Sequence, residues 1–213
     1  MSRVTRKALR HYDFIEIGTS DFNTLIQKAD DRTVGLSVEP MTDYLARLPE
    51  KRNVIKVNAA VSAHSGHIDL YYVPDAVRKE HNLPSWMKGT NKIGAPHPTV
   101  MRYLAKHDLP DSLVHYKRVP VLSVAGLLRR YRVGSIDYLK IDTEGHDSII
   151  MGAYLDLVER RPALRATRIL FESNALTSRD AVTQLSGRLR ALGYTVETRR
   201  QDTLAVLGDV ATR

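Results

Sequence analysis

The sequence predicts an α/β fold: a largely parallel sheet covered by helices, closed by an antiparallel hairpin. Three observations carry that prediction. Short apolar runs of β-forming residues alternate with segments of helical spacing along the 213 residues. Those runs are continuously apolar, as strands covered on both faces must be. Polar and acidic residues then collect where the runs end.

The elements follow in order. "DFIEIG" (13–18) is an apolar strand, and "FNTLIQKAD" after it has helical spacing. "TVGLSVEP" (33–40) is a second strand, followed by a helical "MTDYLARLP". "NVIKVNAAVS" (53–62) reads as a third, and "HIDLYYV" (67–73) alternates like a strand in a hairpin. "IDYLKID" (136–142) is another continuous run, with a helix from there through about Glu159. "ATRILFES" (166–173) and a helix over 178–192 come next. The closing "YTVETRRQDTLAVLGD" reads as two strands with a turn near Gln201–Asp202. Residues 74–120, with "LPSWMKGTNKIGAPHPTVMRYL", break this rhythm by mixing Pro, Gly, Asn and His with the only Trp. They are expected to form an insertion over the carboxyl edge of the sheet, as a lid or structured loop. The whole, 1–213, is expected to be one domain.

Composition narrows the function. Hydrophobic content of 43% and charged content of 26% suit a globular protein. No apolar run approaches the roughly 18 residues of a membrane span. The start "MSRVTRKALRHYDF" lacks the apolar core of a secretory signal, so a cytoplasmic location is expected. The absence of cysteine excludes disulfides and thiolate–zinc sites. A net charge of +8 raises nucleic acid as a partner. Its basic residues are dispersed through "LLRRYR", "VERRPALRATR" and "GRLRAL", with few aromatics for stacking, so nucleic acid is disfavoured. A homodimer is compatible with the sequence.

Ligands of open parallel sheets bind beyond the carboxyl ends of the strands. Those ends read "EIGTSD", "VEP", "NAA", "IDTEGHD" and "FESN". Gly18 lets a backbone approach a ligand closely, and the helix after it offers unpaired N–H groups. A dinucleotide fingerprint needs three glycines and only Gly18 is here, which disfavours a pyrophosphate cradle. Glu39, ending the second strand, stands where a carboxylate holds a ribose diol. A nucleoside without pyrophosphate points to S-adenosylmethionine.

"FIEIGTSDFNT", "GLSVEPM", "VNAAVSAHSG" with "IDLYYV", and above all "DYLKIDTEGHDSIIMGA" resemble the FkbM-type S-adenosylmethionine-dependent methyltransferases, in order over 13–153. The resemblance implies a class I methyltransferase sheet of Rossmann-like type. It places Glu16, Gly18, Thr19 and Ser20 at the methionine end of the cofactor. Glu39 would hold the ribose, Asn58 and Ala59 would flank the adenine, and Asp142 would face the amino group or the sulfonium. Family members often carry Gly where this chain has Phe22, so the first helix is expected to start differently.

Methyl transfer to a hydroxyl of a carbohydrate, mannoside-like or a related small acceptor, asks for a base. His146 is expected to fill that role, with Glu144 or Glu172 holding its ring or the sugar hydroxyl, and Asp147 near enough to orient it. His97 is the rival base. Trp86, Lys88, Asn91 and His97 are expected substrate contacts. No metal ligands are assigned, although Asp142, Glu144 and Glu172, if convergent, would suit Mg²⁺. Two alternatives stay open: a nucleic-acid methyltransferase, and a nucleoside-binding module without chemistry.

Overall fold

The computed structural model describes residues 8–208, so the first seven residues of the basic start lie outside it. The chain begins in the middle of its sheet. Strand β1 (Arg10–Ile17) turns into a single helical turn, α1 (Leu25–Lys28). Strand β2 (Gly35–Val38), helix α2 (Thr42–Arg47) and strand β3 (Val54–Val57) carry it to one edge. Strands β4 (Ala60–Ser62) and β5 (Gly66–Tyr72) follow. Next come helix α3 (Asp75–Glu80), a 3-10 turn at Ser85–Gly89, strand β6 (Lys92–Ile93) and helix α4 (Pro98–Lys106). Strand β7 (His115–Ser123) and helix α5 (Val124–Arg130) lead back to strand β8 (Val133–Ile141). Helix α6 (Asp147–Arg160), strand β9 (Arg168–Glu172), helix α7 (Arg179–Ala191) and strands β10 (Tyr194–Arg199) and β11 (Asp202–Leu207) complete the other half.

The main sheet has the order β10-β11-β9-β8-β1-β2-β3. Its five strands from β9 to β3 are parallel, and β11 runs antiparallel to both β9 and β10. This is the expected sheet with its closing hairpin. The hairpin turn falls at Arg200–Gln201, because Arg199 pairs directly with Asp202. The strand order reverses between β1 and β8, and a crevice therefore opens beyond their carboxyl ends.

Burial explains the covering helices. Helix α6 turns Ile150, Met151, Tyr154, Leu155 and Val158 inward at helical spacing. They meet Tyr12, Ile15, Leu139, Ile169 and Phe171 from the sheet, all essentially buried. Among the described residues no helix is long and apolar enough to cross a membrane.

Three expectations are revised. The run 53–62 is two strands, because β3 stays in the main sheet while β4 joins a second sheet of order β4-β7-β5-β6. Strand β7 reads poorly as a strand, since one face is exposed and Pro120 interrupts it. It is nonetheless secured by pairing with β5 and β4. Residues 115–120 therefore belong to β7, and the segment before it is a structured unit. Its own core contains Leu83, Met87, Val100, Leu104 and Leu113. Helix α1 is much shorter than "FNTLIQKAD" suggests, because Ser20 and Asn23 both take left-handed backbone conformations ahead of it.

The tips of β1 and β8 are in contact. Asp142 donates its N–H to Ile17 O at 2.9 Å, and Gly18 donates to Val38 O at 2.9 Å. Gly18 has φ +81°, and a Cβ there would lie 1.8 Å from the Asp142 carbonyl oxygen. Gly18→Ala is expected to cost at least about 2 kcal/mol, since it adds both overlap and left-handed strain. An unchanged urea midpoint for this variant would contradict the packing described.

Candidate functional site

A cavity of about 300 Å³ lies over this contact. The turn after β1 supplies Gly18, Thr19 and Ser20 to its wall, the end of β2 supplies Glu39 and Pro40, and the β3–β4 passage supplies Ala59. Asp142, Thr143 and Glu144 come from the end of β8, and Glu172 from the end of β9. Gly89, Asn91 and Ile93 of the inserted segment complete it. Val38, Val61, Leu70 and Ile93 make part of it apolar, as a base or ring needs.

Glu39 is nearly buried and is gripped by backbone. Ser20 donates its N–H to Oε2 and Met41 to Oε1, each at 2.8 Å. Burial pushes its carboxyl up to about 7, against the pull of those two donors. Each oxygen keeps a further lone pair for a ligand hydroxyl. Ser20, Asn91 and Glu172 line the cavity, and their Oγ, Oδ1 and Oε2 atoms are buried without a partner among the described residues. Unpaired buried polar atoms are costly. An adenosyl group with its diol and amino-acid tail fits that pattern.

The structure places other expected site residues elsewhere. Glu16 does not line the cavity but is fully buried behind it. There it accepts the N–H of Leu25 at 2.8 Å and pairs with Lys140 Nζ at 2.9 Å. Asn58 is exposed, and its Nδ2 donates to Glu39 O at 3.0 Å and Pro40 O at 3.1 Å, which pins the turn after β2. Lys88 reaches both oxygens of Asp21, at 2.7 and 2.8 Å, and Arg47 adds a third bond at 2.8 Å. Burial would raise the Asp21 carboxyl, but the two cations outweigh it and hold it below its ordinary value. Lys88 thus bolts the inserted segment to the turn after β1. Trp86 is 42% exposed, edge-on to Tyr103, and outside the cavity wall. Phe22, where glycine was expected, is on that wall and more than half exposed.

The stretch Thr143–His146 is a tight turn with Glu144 and Gly145 both left-handed, at φ 53° and 89°. It sends its side chains in different directions. Glu144 does not hold His146, as expected from sequence, but lies 3.2 Å from His97 Nε2. His97 Nδ1 accepts the Thr99 N–H at 3.2 Å, so both nitrogens of this buried ring are engaged. Asp147 does not touch His146 either. It accepts from Thr143 Oγ1 at 2.9 Å and from the Glu172 N–H at 3.3 Å, bracing β8 against β9. His146 itself bonds Ser62 Oγ through Nε2 at 2.9 Å. Burial, assisted by Lys92, lowers its imidazole to about 4. It is absent from the cavity wall.

Lys140 is the residue sequence reasoning missed. It lines the cavity near the end of β8, two positions before Asp142. That period-two relation was its only signal. As for Mg²⁺, Asp142, Glu144 and Glu172 share a cavity but are not gathered as a metal cage. Among the described residues, only His11, Asp13 and Asp137, at the opposite ends of the strands, bring three ligand atoms within 4.8 Å of one another.

A largely parallel sheet with a nucleoside-sized cavity at its switch point fits a Rossmann-like methyltransferase. Consistent with this, the family described as the methyltransferase FkbM domain matches residues 13–196, and the chain belongs to that family. No curated protein matches it.

The crowded carboxyls make stability pH-dependent. Burial raises Glu39 to about 7, Asp147 to about 6 and Glu172 to about 8, the last also pushed by Glu144 and Asp142. Folded pKa values above the unfolded ones, near 4, mean that the stabilisation is complete only below about pH 4 and is lost progressively from there as pH rises through 6–8. Glu172→Gln is expected to match wild type in urea unfolding at about pH 4 and exceed it by roughly 1–3 kcal/mol at about pH 9. Equal midpoints at pH 9 would show that Glu172 does not carry this strain.

Proposed function

We propose that the protein is an S-adenosylmethionine-dependent O-methyltransferase acting on a hydroxyl of a mannoside-like carbohydrate or a related small acceptor. The observation that carries this reading is the meeting of Gly18, Glu39 and Asp142 on one cavity. Glu39 would accept from both ribose hydroxyls, Thr19 and Ser20 would border the methionine portion, and Ala59 with its apolar neighbours would flank the adenine. The bound donor supplies a methyl group made electrophilic by its sulfonium.

The chain must then remove a proton. With Nε2 on Ser62, the Nδ1 nitrogen of His146 is left to accept the hydroxyl proton as the carbon–oxygen bond forms. A pKa near 4 keeps the ring neutral, hence able to accept, at physiological pH. His97 is less suited, since its two nitrogens are already bonded. Its pairing leaves Glu144 oriented at the cavity wall, where a carboxylate can accept from a second sugar hydroxyl. The exposed indole of Trp86 offers an apolar face to a sugar ring. Gly89, Asn91 and Ile93 of the insertion 74–120 line one side of the cavity, which suits a lid that limits water at the reacting carbon. The stretch "SWMKGTNKIGAPHPTV" adds support for the carbohydrate acceptor, since it resembles the sugar O-methyltransferase of the mycobacterial methylmannose polysaccharide pathway.

The test is transfer of labelled methyl from S-adenosylmethionine to a panel of mannosides and other sugars. His146→Ala is expected to lower turnover by about 10²–10⁴ while leaving S-adenosylhomocysteine affinity unchanged by calorimetry. Normal turnover in this variant would remove His146 from the mechanism. Wild-type kcat/KM should lack a limb near pH 6.5 and fall only as pH drops toward 4. Methylation of RNA in place of every sugar would overturn the acceptor class.

A further inference from the structure

We infer that Phe22, with Asn23 and Asn91, is the platform on which the cavity receives its acceptor, and that this acceptor is a neutral sugar ring, neither phosphorylated nor uronic. This rests on the function proposed above and names the acceptor class within it. Phe22 lines the cavity and is 54% exposed, so it stands where the cavity meets solvent, whereas Glu39 is nearly buried. The turn that carries the phenyl is held independently of it. Ser20 donates its N–H to Glu39 at 2.8 Å, and Asp21 is bound by Lys88 and Arg47. Gly89 of the insertion backs the ring, since a Cβ on that residue would lie 3.3 Å from the phenyl Cζ. A ring fixed in this way keeps apolar area at the cavity that a guest can cover.

Asn23 and Asn91 line the same cavity, and Asn91 Oδ1 is buried without a partner among the described residues. A sugar ring presents an apolar C–H face and a rim of hydroxyls, which a phenyl and neutral amides complement. Charge then selects among sugars. The wall carries Glu39, Asp142, Glu144 and Glu172, and its one cation among the described residues is Lys140, paired with Glu16 at 2.9 Å. Lys88 Nζ lies 5.9 Å from the Phe22 centroid but is engaged by both oxygens of Asp21. A phosphate or uronate entering here would meet carboxyls and no unpaired cation of the wall, which disfavours it against a neutral ring.

Methyl transfer is measured with mannose, methyl α-mannoside and a wider panel of neutral sugars, and with mannose 1-phosphate and mannose 6-phosphate. Wild type should methylate its best neutral sugar with kcat/KM at least about 10-fold above either phosphate. Phe22→Ala, its fold checked by circular dichroism, should raise the KM for that sugar about 10-fold and change S-adenosylhomocysteine affinity by less than about twofold. Phe22→Trp should restore the KM. An unchanged KM in Phe22→Ala, or a loss of S-adenosylhomocysteine affinity as large as the rise in KM, would overturn the platform while the proposed function stands. Preference for a phosphorylated sugar would overturn the acceptor class, again with the proposed function standing. Transfer to no sugar at all would remove the proposed function and the platform with it.

Discussion

The backbone of Gly18 passes so close to the Asp142 carbonyl that no side chain fits between them, and the site is built outward from that contact. The chain starts at β1, builds one half of the sheet, and returns at β8 to build the other. The two halves therefore meet at their tips, and whatever the tips carry is delivered to one place. Glu39 reinforces the junction by accepting the Ser20 N–H, which fixes the turn after β1 against the end of β2. Asp147 does the same on the other side, linking the β8 turn to the start of the β9 loop. The inserted segment is then secured to this frame by Lys88 on Asp21 and by the Tyr44 hydroxyl on the Lys88 carbonyl.

The electrostatics of this arrangement run against stability. Four carboxyls from three strand ends are drawn into a poorly hydrated space, and their proton affinities rise in consequence. Lys140, already engaged by Glu16, offsets only part of the negative charge. Ser20 Oγ, Asn91 Oδ1 and Glu172 Oε2 add buried polar atoms without a partner among the described residues. Burial acts on His146 in the opposite sense, keeping its ring neutral. The same desolvation thus favours the uncharged form of both the carboxyls and the imidazole.

The strand–helix alternation, the closing hairpin and the location of the cavity at the strand ends were legible in the sequence, because apolar runs and their polar ends are local signals. That Gly18 and Glu39 line this cavity could be read for the same reason, since each sits at a fixed place in a βαβ unit. What stayed hidden depended on contacts across the chain. Strand β7 is stabilised by partners 50 residues or so away in sequence, and its half-exposed pattern with Pro120 carries little local sign of them. The partners of Glu144, His146 and Lys88 could not be inferred from proximity in sequence. A turn with two left-handed residues turns neighbouring side chains apart, so Glu144 meets His97 and His146 meets Ser62. The family resemblance placed Glu16 at the cavity, but the Leu25 N–H and the Lys140 ammonium hold its carboxylate behind the wall.

Amide hydrogen exchange with and without S-adenosylhomocysteine probes the central claim directly, that separate strand tips form one donor pocket. Simultaneous protection of 18–23, 38–41 and 142–144, with the outer strands β10 and β11 unchanged, is the outcome expected. Protection confined to one of these segments, or appearing only away from them, would mean that the tips do not act as a single site.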